Sequence, residues 1–137
     1  MTREYPHVAF VTIGETPRND VLPGLLQRIG KPVTVTEFGV LDGLGETDIR
    51  AMAPGLGDIP LAAFRHDNLP AIISTEACEK RIRGICSSLD TQHFDVIVLM
   101  STGLYLSART ITPLINAQRV VDAWLDSLVH AQQTIGL

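Results

Sequence analysis

The amino-acid sequence predicts an α/β protein with a doubly wound, mainly parallel sheet in a three-layer αβα arrangement. Short apolar runs rich in β-branched residues alternate along the chain with segments whose apolar residues recur at helical spacing. The run at 94–100 is apolar almost throughout, which is typical of a strand covered on both faces. Strands that alternate with helices form parallel β-α-β units with right-handed crossovers.

The first predicted strand covers residues 8–13, because this apolar run is short, rich in β-branched residues and followed by a glycine. A helix from about 20 to 29 follows it, with apolar residues on one side. Asn19 or Asp20 can cap its first turn, and Gly30 ends it.

The middle of the chain predicts a second strand at 33–38 and a short helix at 47–52. Two strand-like runs come next, at 61–65 and 71–73. The segment 66–70 between them is rich in turn-forming residues. We therefore expect these runs to form a β-hairpin.

The clearest helix in the sequence covers 75–89, where the apolar residues recur at helical spacing and the charged residues face away. Ser74 or Thr75 can cap its first turn. The apolar strand at 94–100 follows this helix.

The last part of the chain predicts a strand at 111–115 and a helix at 117–129, which Asn116 can cap. We expect the apolar side of this helix, which includes Val120 and Trp124, to pack on a face of the sheet. The final residues, 134–137, look like the start of another strand. Residues 1–137 are long enough for one domain and too short for two ordinary ones. We therefore expect a single domain that is a fragment, a processed product or a truncated form of a longer protein.

Composition and charge narrow the class of function. Hydrophobic residues make up 45% of the chain and charged residues 19%, as in globular proteins. The net charge of −4 argues against nucleic acid as a partner, because nucleic-acid binding needs a clustered basic face. The sequence contains neither a secretory signal nor an apolar run long enough to span a bilayer. We therefore expect no membrane partner and a cytoplasmic location.

The two cysteines predict neither a disulfide nor a metal site. Cys78 and Cys86 lie on one predicted helix, and the helix rises about 12 Å between them, which is too far for a disulfide. Neither cysteine belongs to a ligand pattern with a second cysteine or a histidine, so we expect reduced, buried thiols and no metal. The sequence has no glycine-rich dinucleotide loop and no P-loop, so we expect no cofactor.

Sheet topology predicts where a ligand binds. In an open doubly wound sheet, ligands lie beyond the carboxyl ends of the strands, at the point where strand order reverses. In a flavodoxin-like order that point lies between the first and third parallel strands. The loops at 14–18 and 101–103 follow these two strands.

The loop at 14–18 carries three candidate binding residues. Gly14 permits close backbone approach, Thr16 has a hydroxyl, and Arg18 has a planar fork that suits a carboxylate. The helix that follows also offers backbone N–H groups to an anion. The alternative is a turn that starts this helix, with Arg18 in a surface salt bridge.

The other candidates follow the second and third strands. Ser101 and Thr102 offer hydroxyls, and together with Gly103 they can hold a carboxylate or an oxyanion. The alternative is that they cap a helix. Asp42 can contact a hydroxyl or an amine of a ligand, or it can shape an Asx turn.

Three of these segments carry a resemblance to a known family. They are the segments at 12–20, 37–44 and 94–103. Their order and spacing resemble those of the AroM family, relatives of the aspartate/glutamate/hydantoin racemases. The resemblance implies that this chain is the N-terminal half of a two-half fold.

Racemases of this superfamily bind substrate between two similar halves and use one cysteine from each half as acid and base. The position of the first-half cysteine holds Ser101 in this chain, and the second would lie beyond Leu137. A serine hydroxyl without a neighbouring base is a poor proton carrier. Ser101 is therefore a candidate catalytic residue whose surroundings favour binding.

The resemblance thus implies a protein that binds a small carboxylate at the carboxyl edge of the sheet. The alternative is a racemase, isomerase or lyase that acts on a small carboxylic acid, with its site completed by the missing half. A third alternative is a homodimer that rebuilds the two-half site.

Overall fold

The apolar runs of the sequence form the strands of a parallel sheet. The computed structural model describes residues 4–66, 69–101 and 110–135. In chain order, the elements are β1 (His7–Thr12), α1 (Leu22–Ile29), β2 (Thr34–Gly39), α2 (Glu46–Ala51), β3 (Pro60–Ala63), β4 (Ala71–Ser74), α3 (Thr75–Leu89), β5 (Val96–Leu99), β6 (Leu114–Asn116) and α4 (Ala117–Ile135). The strand bounds differ from the predicted ones by three residues or fewer.

The main sheet has four strands in the order β2-β1-β5-β6, and all neighbouring pairs are parallel. Val8 lies between Val35 of β2 and Val96 of β5. The strand order therefore reverses between β1 and β5. This arrangement confirms the predicted α/β fold and the prediction that the first and third parallel strands are neighbours.

Side chains that alternate along the strands form one core on each face of the sheet. On one face, Ala9 and Val11 belong to a large buried cluster with Ile82 of α3. On the other face, Val8 and Phe10 pack with α1. Helices thus lie on both faces, as the three-layer prediction requires.

The start of α1 differs from the prediction. The helix begins at Leu22, and its N-cap residue is Val21, which makes no side-chain capping bond. The predicted cap at Asn19 or Asp20 is therefore wrong. The Asp20 carboxylate instead accepts hydrogen bonds from Arg18. An aspartate two residues from an arginine can form this ion pair, which competes with capping.

The predicted helix α3 is confirmed in its bounds and its cap. The Ser74 hydroxyl accepts a hydrogen bond from the backbone N–H of Ala77, at 3.4 Å. Cys78 and Cys86 lie on the buried side of the helix and are not bonded to each other. Burial raises the pKa of the Cys78 thiol to about 12 and also raises that of Cys86.

Asp90 joins the end of α3 to the segment that enters β6. Its carboxylate oxygens accept hydrogen bonds from the backbone N–H groups of Ile111 and Thr112, each at 3.0 Å. These bonds stabilise the charged form and lower the pKa of the Asp90 carboxyl. One side chain therefore fixes the position from which the edge strand starts.

The predicted β-hairpin is also confirmed. Strands β3 and β4 pair in antiparallel orientation and form a separate two-stranded sheet. The hairpin meets the main sheet at an isolated parallel bridge between Gly14 and Phe64. This bridge places the end of β3 beside the carboxyl end of β1.

The last helix is present, but its packing differs from the prediction. Asn116 caps α4 through its side-chain oxygen, which accepts a hydrogen bond from the N–H of Gln118 at 2.9 Å. The apolar side of α4 is not covered by the sheet, since Trp124 is 61% exposed. The predicted strand at 134–137 is wrong for Thr134 and Ile135, which belong to α4. Residues 136 and 137 lie outside the described residues.

Candidate functional site

A cavity of about 320 Å³ opens at the carboxyl end of the main sheet. Residues of β1 and its following loop, the hairpin and the end of β5 line it. They are Thr12, Ile13, Arg18, Ala62, Phe64, Pro70, Met100 and Ser101. The cavity therefore lies where the strand order reverses, the position at which α/β sheets commonly bind ligands.

Arg18 is held at this cavity by three groups. Its Nε and Nη2 atoms donate to the two carboxylate oxygens of Asp20, each at 2.9 Å. Its Nη1 atom donates to the Thr12 hydroxyl, also at 2.9 Å. The guanidinium carbon lies 4.5 Å from the centre of the Phe64 ring, in a cation–π contact.

These contacts use only part of the hydrogen-bonding capacity of Arg18. A guanidinium carries one hydrogen on Nε and two on each terminal nitrogen. The bonds to Asp20 and Thr12 therefore leave one hydrogen on Nη1 and one on Nη2. The hydrogen bond to Asp20 raises the pKa of Arg18, so the group stays charged at any ordinary pH.

Two acidic residues lie close to Arg18. Asp20 forms the ion pair, and the same contact lowers the pKa of the Asp20 carboxyl. Glu37 of β2 accepts a hydrogen bond from the backbone N–H of Arg18, at 2.9 Å. An anion that binds here would therefore meet a guanidinium whose charge is already shared with carboxylates of the protein.

Asp42 connects the loops that follow β1 and β2. Its carboxylate accepts hydrogen bonds from the Thr16 N–H at 3.0 Å, the Thr16 hydroxyl at 2.6 Å and the Gly39 N–H at 2.9 Å. Neither Thr16 nor Asp42 lines the cavity. In the described structure, Asp42 thus shapes a turn after β2 and fixes the loop that carries Arg18.

Gly14 allows the hairpin to approach the end of β1. Its φ angle of +114° is one that residues with side chains rarely adopt. The next residue, Glu15, donates its N–H to the Phe64 carbonyl at 2.9 Å. Close backbone approach at Gly14 was predicted for a ligand, and here the neighbour is the protein's own chain.

Ser101 follows β5 and is buried in the cavity wall. Thr102 and Gly103, the other predicted residues of this loop, lie outside the described residues. Among the sequence-predicted residues, Arg18 and Ser101 therefore line the same cavity. The first residues of α1 do not line it, so the expected contribution from backbone N–H groups of this helix is not seen.

Sequence reasoning missed Phe64, Thr12 and Asp20. The position of Phe64 depends on the bridge to Gly14, which joins residues far apart in the chain and leaves no local pattern. Thr12 had a detectable signal, since it is a polar residue at the end of an otherwise apolar strand. Asp20 lies two positions from Arg18, but its preference for helix caps hid the ion pair.

The chemistry available in the cavity is limited. Its lining residues supply one guanidinium, two hydroxyls and carbon surface. Within the described part of the chain, this lining includes no imidazole, thiol, amine or carboxylate that could act as a general base. The arrangement can bind and orient a ligand.

A larger cavity, of about 600 Å³, lies between α2, β2 and α3. Its lining includes Phe38, Leu44, Met52 and Ile85 and is mainly apolar. This cavity lies against one face of the fold, away from the point where strand order reverses. We therefore place the candidate site at the smaller cavity, which lies at that point and contains Arg18.

Within the described residues, no group of three or more His, Cys, Asp or Glu side chains is arranged to hold a metal ion. No helix in the same part of the chain has the length and apolar character that are needed to cross a bilayer.

Comparison with known proteins gives a family match that spans most of the chain. A family model described as AroM protein matches residues 8–137. The matched residues include all those that line the candidate cavity. They also include all the helices and strands, apart from His7, the first residue of β1. No curated protein and no solved structure matches this chain.

Proposed function

This chain belongs to the AroM family, and we propose that it binds a small carboxylate in the cavity lined by Arg18 and Ser101. The observation that carries the proposal is the position of these two residues. They reach one cavity from the carboxyl ends of β1 and β5. In open α/β sheets this is where ligands bind.

Arg18 supplies the anchor. The remaining hydrogens on Nη1 and Nη2 can donate to a ligand carboxylate, the kind of group that a guanidinium suits. Thr12 and Asp20 hold the guanidinium in place from two sides. A ligand therefore meets an arginine whose side-chain entropy is already lost, and this lowers the cost of binding.

The size and surface of the cavity suggest the rest of the ligand. A volume of about 320 Å³ is near the lower end of ligand pockets, which commonly span roughly 300–1,000 Å³. Phe64 and Met100 offer carbon surface, and Ser101 offers a hydroxyl. A compact carboxylate with a short apolar portion fits this combination.

Binding is favoured over catalysis on chemical grounds. A racemase, isomerase or lyase needs a group that takes a proton from carbon. Ser101 cannot do so unaided, and the described lining residues include no base. The cavity thus supports recognition of the ligand without a reaction step.

Substitution of Asp20 tests the proposal, because the Asp20 carboxylate competes with a ligand carboxylate for Arg18. Small carboxylates, for example acetate, succinate and benzoate, are screened by thermal shift against the matching amides, since a ligand of the folded state raises Tm. Calorimetry then compares wild type with Arg18→Ala, Arg18→Lys, Ser101→Ala and Asp20→Asn.

We expect the carboxylates, and not the amides, to stabilise the protein. Arg18→Ala should weaken binding by about 1.5–3 kcal/mol for each charge-assisted bond lost. Arg18→Lys should recover only part of this loss, because an ammonium cannot reproduce the fork. Ser101→Ala should cost less. Asp20→Asn should strengthen binding, since the amide oxygen can still accept a hydrogen bond from Arg18 and hold it in place, while the competing negative charge is removed. Unchanged affinity in Arg18→Ala would refute the proposal.

A further inference from the structure

Helix α4 presents an apolar stripe that no other described part of the chain covers. Trp124 is 61% exposed, and its apolar neighbours on the helix are 39–57% exposed. The stripe is formed by Val120, Val121, Trp124, Leu125, Leu128 and Val129. Exposed apolar surface of this extent on a soluble domain marks an interaction site.

The charged residues of α4 lie on its opposite side. Successive residues of an α-helix are rotated by about 100°. On this basis Arg119, Asp122 and Asp126 fall within one narrow arc of the helix. The apolar stripe covers roughly half of the circumference. A partner that contacts the centre of the stripe, near Val121 and Leu128, can therefore pack against it without burying a charge.

The spacing of the stripe is suited to another helix. Val121, Trp124 and Leu128 follow one another at intervals of three and four residues. This alternation is typical of two helices that pack side by side at a shallow crossing angle. The surface that covers the stripe is thus expected to be an apolar helix face of the same kind.

We propose that α4 forms a dimer interface with α4 of a second copy of this chain. In a two-fold dimer the same patch on both copies faces itself, so one apolar stripe meets another. The stripe satisfies this requirement because its exposed members are all apolar and its charges lie outside the contact.

The exposed area of the stripe reaches the lower bound for such a dimer. The fractional exposures of the six side chains correspond to roughly 500 Å² of surface on each copy. Complete burial of both stripes would remove about 1,000 Å² from water in total, which is the lower bound for a specific interface. Ile115 of the edge strand β6, which directly precedes α4, is also 46% exposed and can extend this area.

The fluorescence of Trp124 can report dimer formation, because Trp124 is the single tryptophan of the chain. Sedimentation velocity and tryptophan emission are recorded over a range of protein concentrations. We expect a concentration-dependent dimer, and emission that moves to longer wavelength on dilution as Trp124 becomes exposed to water.

Leu125→Asp and Leu128→Asp place a charge in the stripe and leave the tryptophan in place. Each should raise the dimer dissociation constant by at least about tenfold, since a charge is buried without a partner. Both residues are exposed in the monomer, so the circular dichroism spectrum should not change. Leu56→Asp is the matched control, because Leu56 is a fully exposed leucine outside α4.

A wild-type protein that stays monomeric at high concentration, with Trp124 emission typical of water, would overturn the proposal. That result would assign the stripe to a different partner. A dimer that neither aspartate variant weakens would also overturn it.

Discussion

The backbone of Phe64 lies so close to Gly14 that no side chain fits between them. A Cβ atom built on Gly14 would lie 2.3 Å from the Phe64 carbonyl oxygen and 2.5 Å from its nitrogen. The contact joins the hairpin to the end of β1 and places the Phe64 ring beside Arg18. The candidate cavity depends on this approach.

Gly14→Ala should therefore destabilise the protein and deform the cavity. The substitution combines a backbone clash with a φ angle that alanine rarely adopts, and we expect a loss of about 2–4 kcal/mol in the free energy of unfolding. Urea denaturation measures the loss. Gly84→Ala is the control, because a Cβ at Gly84 in the middle of α3 meets no atom within 4 Å. This control should stabilise the protein by about 0.5–1 kcal/mol.

Asp42→Ala should loosen the two loops that Asp42 joins. The substitution leaves the N–H groups of Thr16 and Gly39 without their carboxylate partner, and we expect a loss of about 2–3 kcal/mol. Asp58→Ala removes a single exposed bond to the N–H of Gly55 and should cost much less. Equal losses for the two variants in denaturant titrations would show that the Asp42 bonds add no stability beyond that of an ordinary turn.

The two cysteines should resist chemical modification in the folded protein. Burial shields both thiols and raises the pKa of Cys78 to about 12, so almost no reactive thiolate is present at neutral pH. A disulfide reagent added to the native protein should label neither cysteine, and labelling should appear together with unfolding in denaturant. Rapid labelling of either thiol in the native state would contradict this prediction.

Asp90 should contribute to the loss of stability in acid. Its pKa in the folded protein lies below the usual value of 3.8, because two backbone N–H groups donate to the charged carboxylate. The stabilisation is therefore fully present above about pH 4 and is lost as the pH falls through the lower, folded-state pKa. The Asp20 and Glu46 carboxyls, whose pKa values are also lowered, act in the same direction.

Asp90→Asn should reduce stability at neutral pH and make the decline below about pH 4 shallower than in wild type. The midpoint of urea unfolding, measured from neutral to acidic pH, reports both effects. Asp126→Asn, on the exposed polar side of α4, is the control and should leave the wild-type profile unchanged.

Local sequence patterns were enough to predict most of the fold. The bounds of α3 follow from its apolar spacing and the cap at Ser74, which lie within a single segment. The apolar run around Val98 predicted a strand covered on both faces, and topology then placed Arg18 and Ser101 at the same sheet edge. These inferences needed only the periods of helices and strands and the usual order of parallel sheets.

Contacts between distant segments could not be predicted in this way. Phe64 enters the cavity wall because a hairpin pairs with Gly14, and no local pattern records that pairing. The sequence of α4 predicted an apolar side but not what covers it, so the expectation that Val120 and Trp124 pack on the sheet was wrong. In each case the sequence did not show which other surface the segment contacts.

The cavity wall has two parts, one from the main sheet and its loops and one from the hairpin region, and residues of one part can be substituted separately from those of the other. Strands β1 and β5 bring the polar groups of Thr12, Arg18 and Ser101, whereas the hairpin region brings Ala62, Phe64 and Pro70. Within the described residues, Ala63 and Ile73 of the hairpin are buried in the main core, and Phe64 contacts Arg18, whereas Ala62 and Pro70 are exposed and line the cavity. Substitutions at Ala62 and Pro70 should therefore change which ligand shapes are accepted while the anchoring group stays the same. Proteins with this architecture could diverge in specificity, or be redesigned for it, at these two positions.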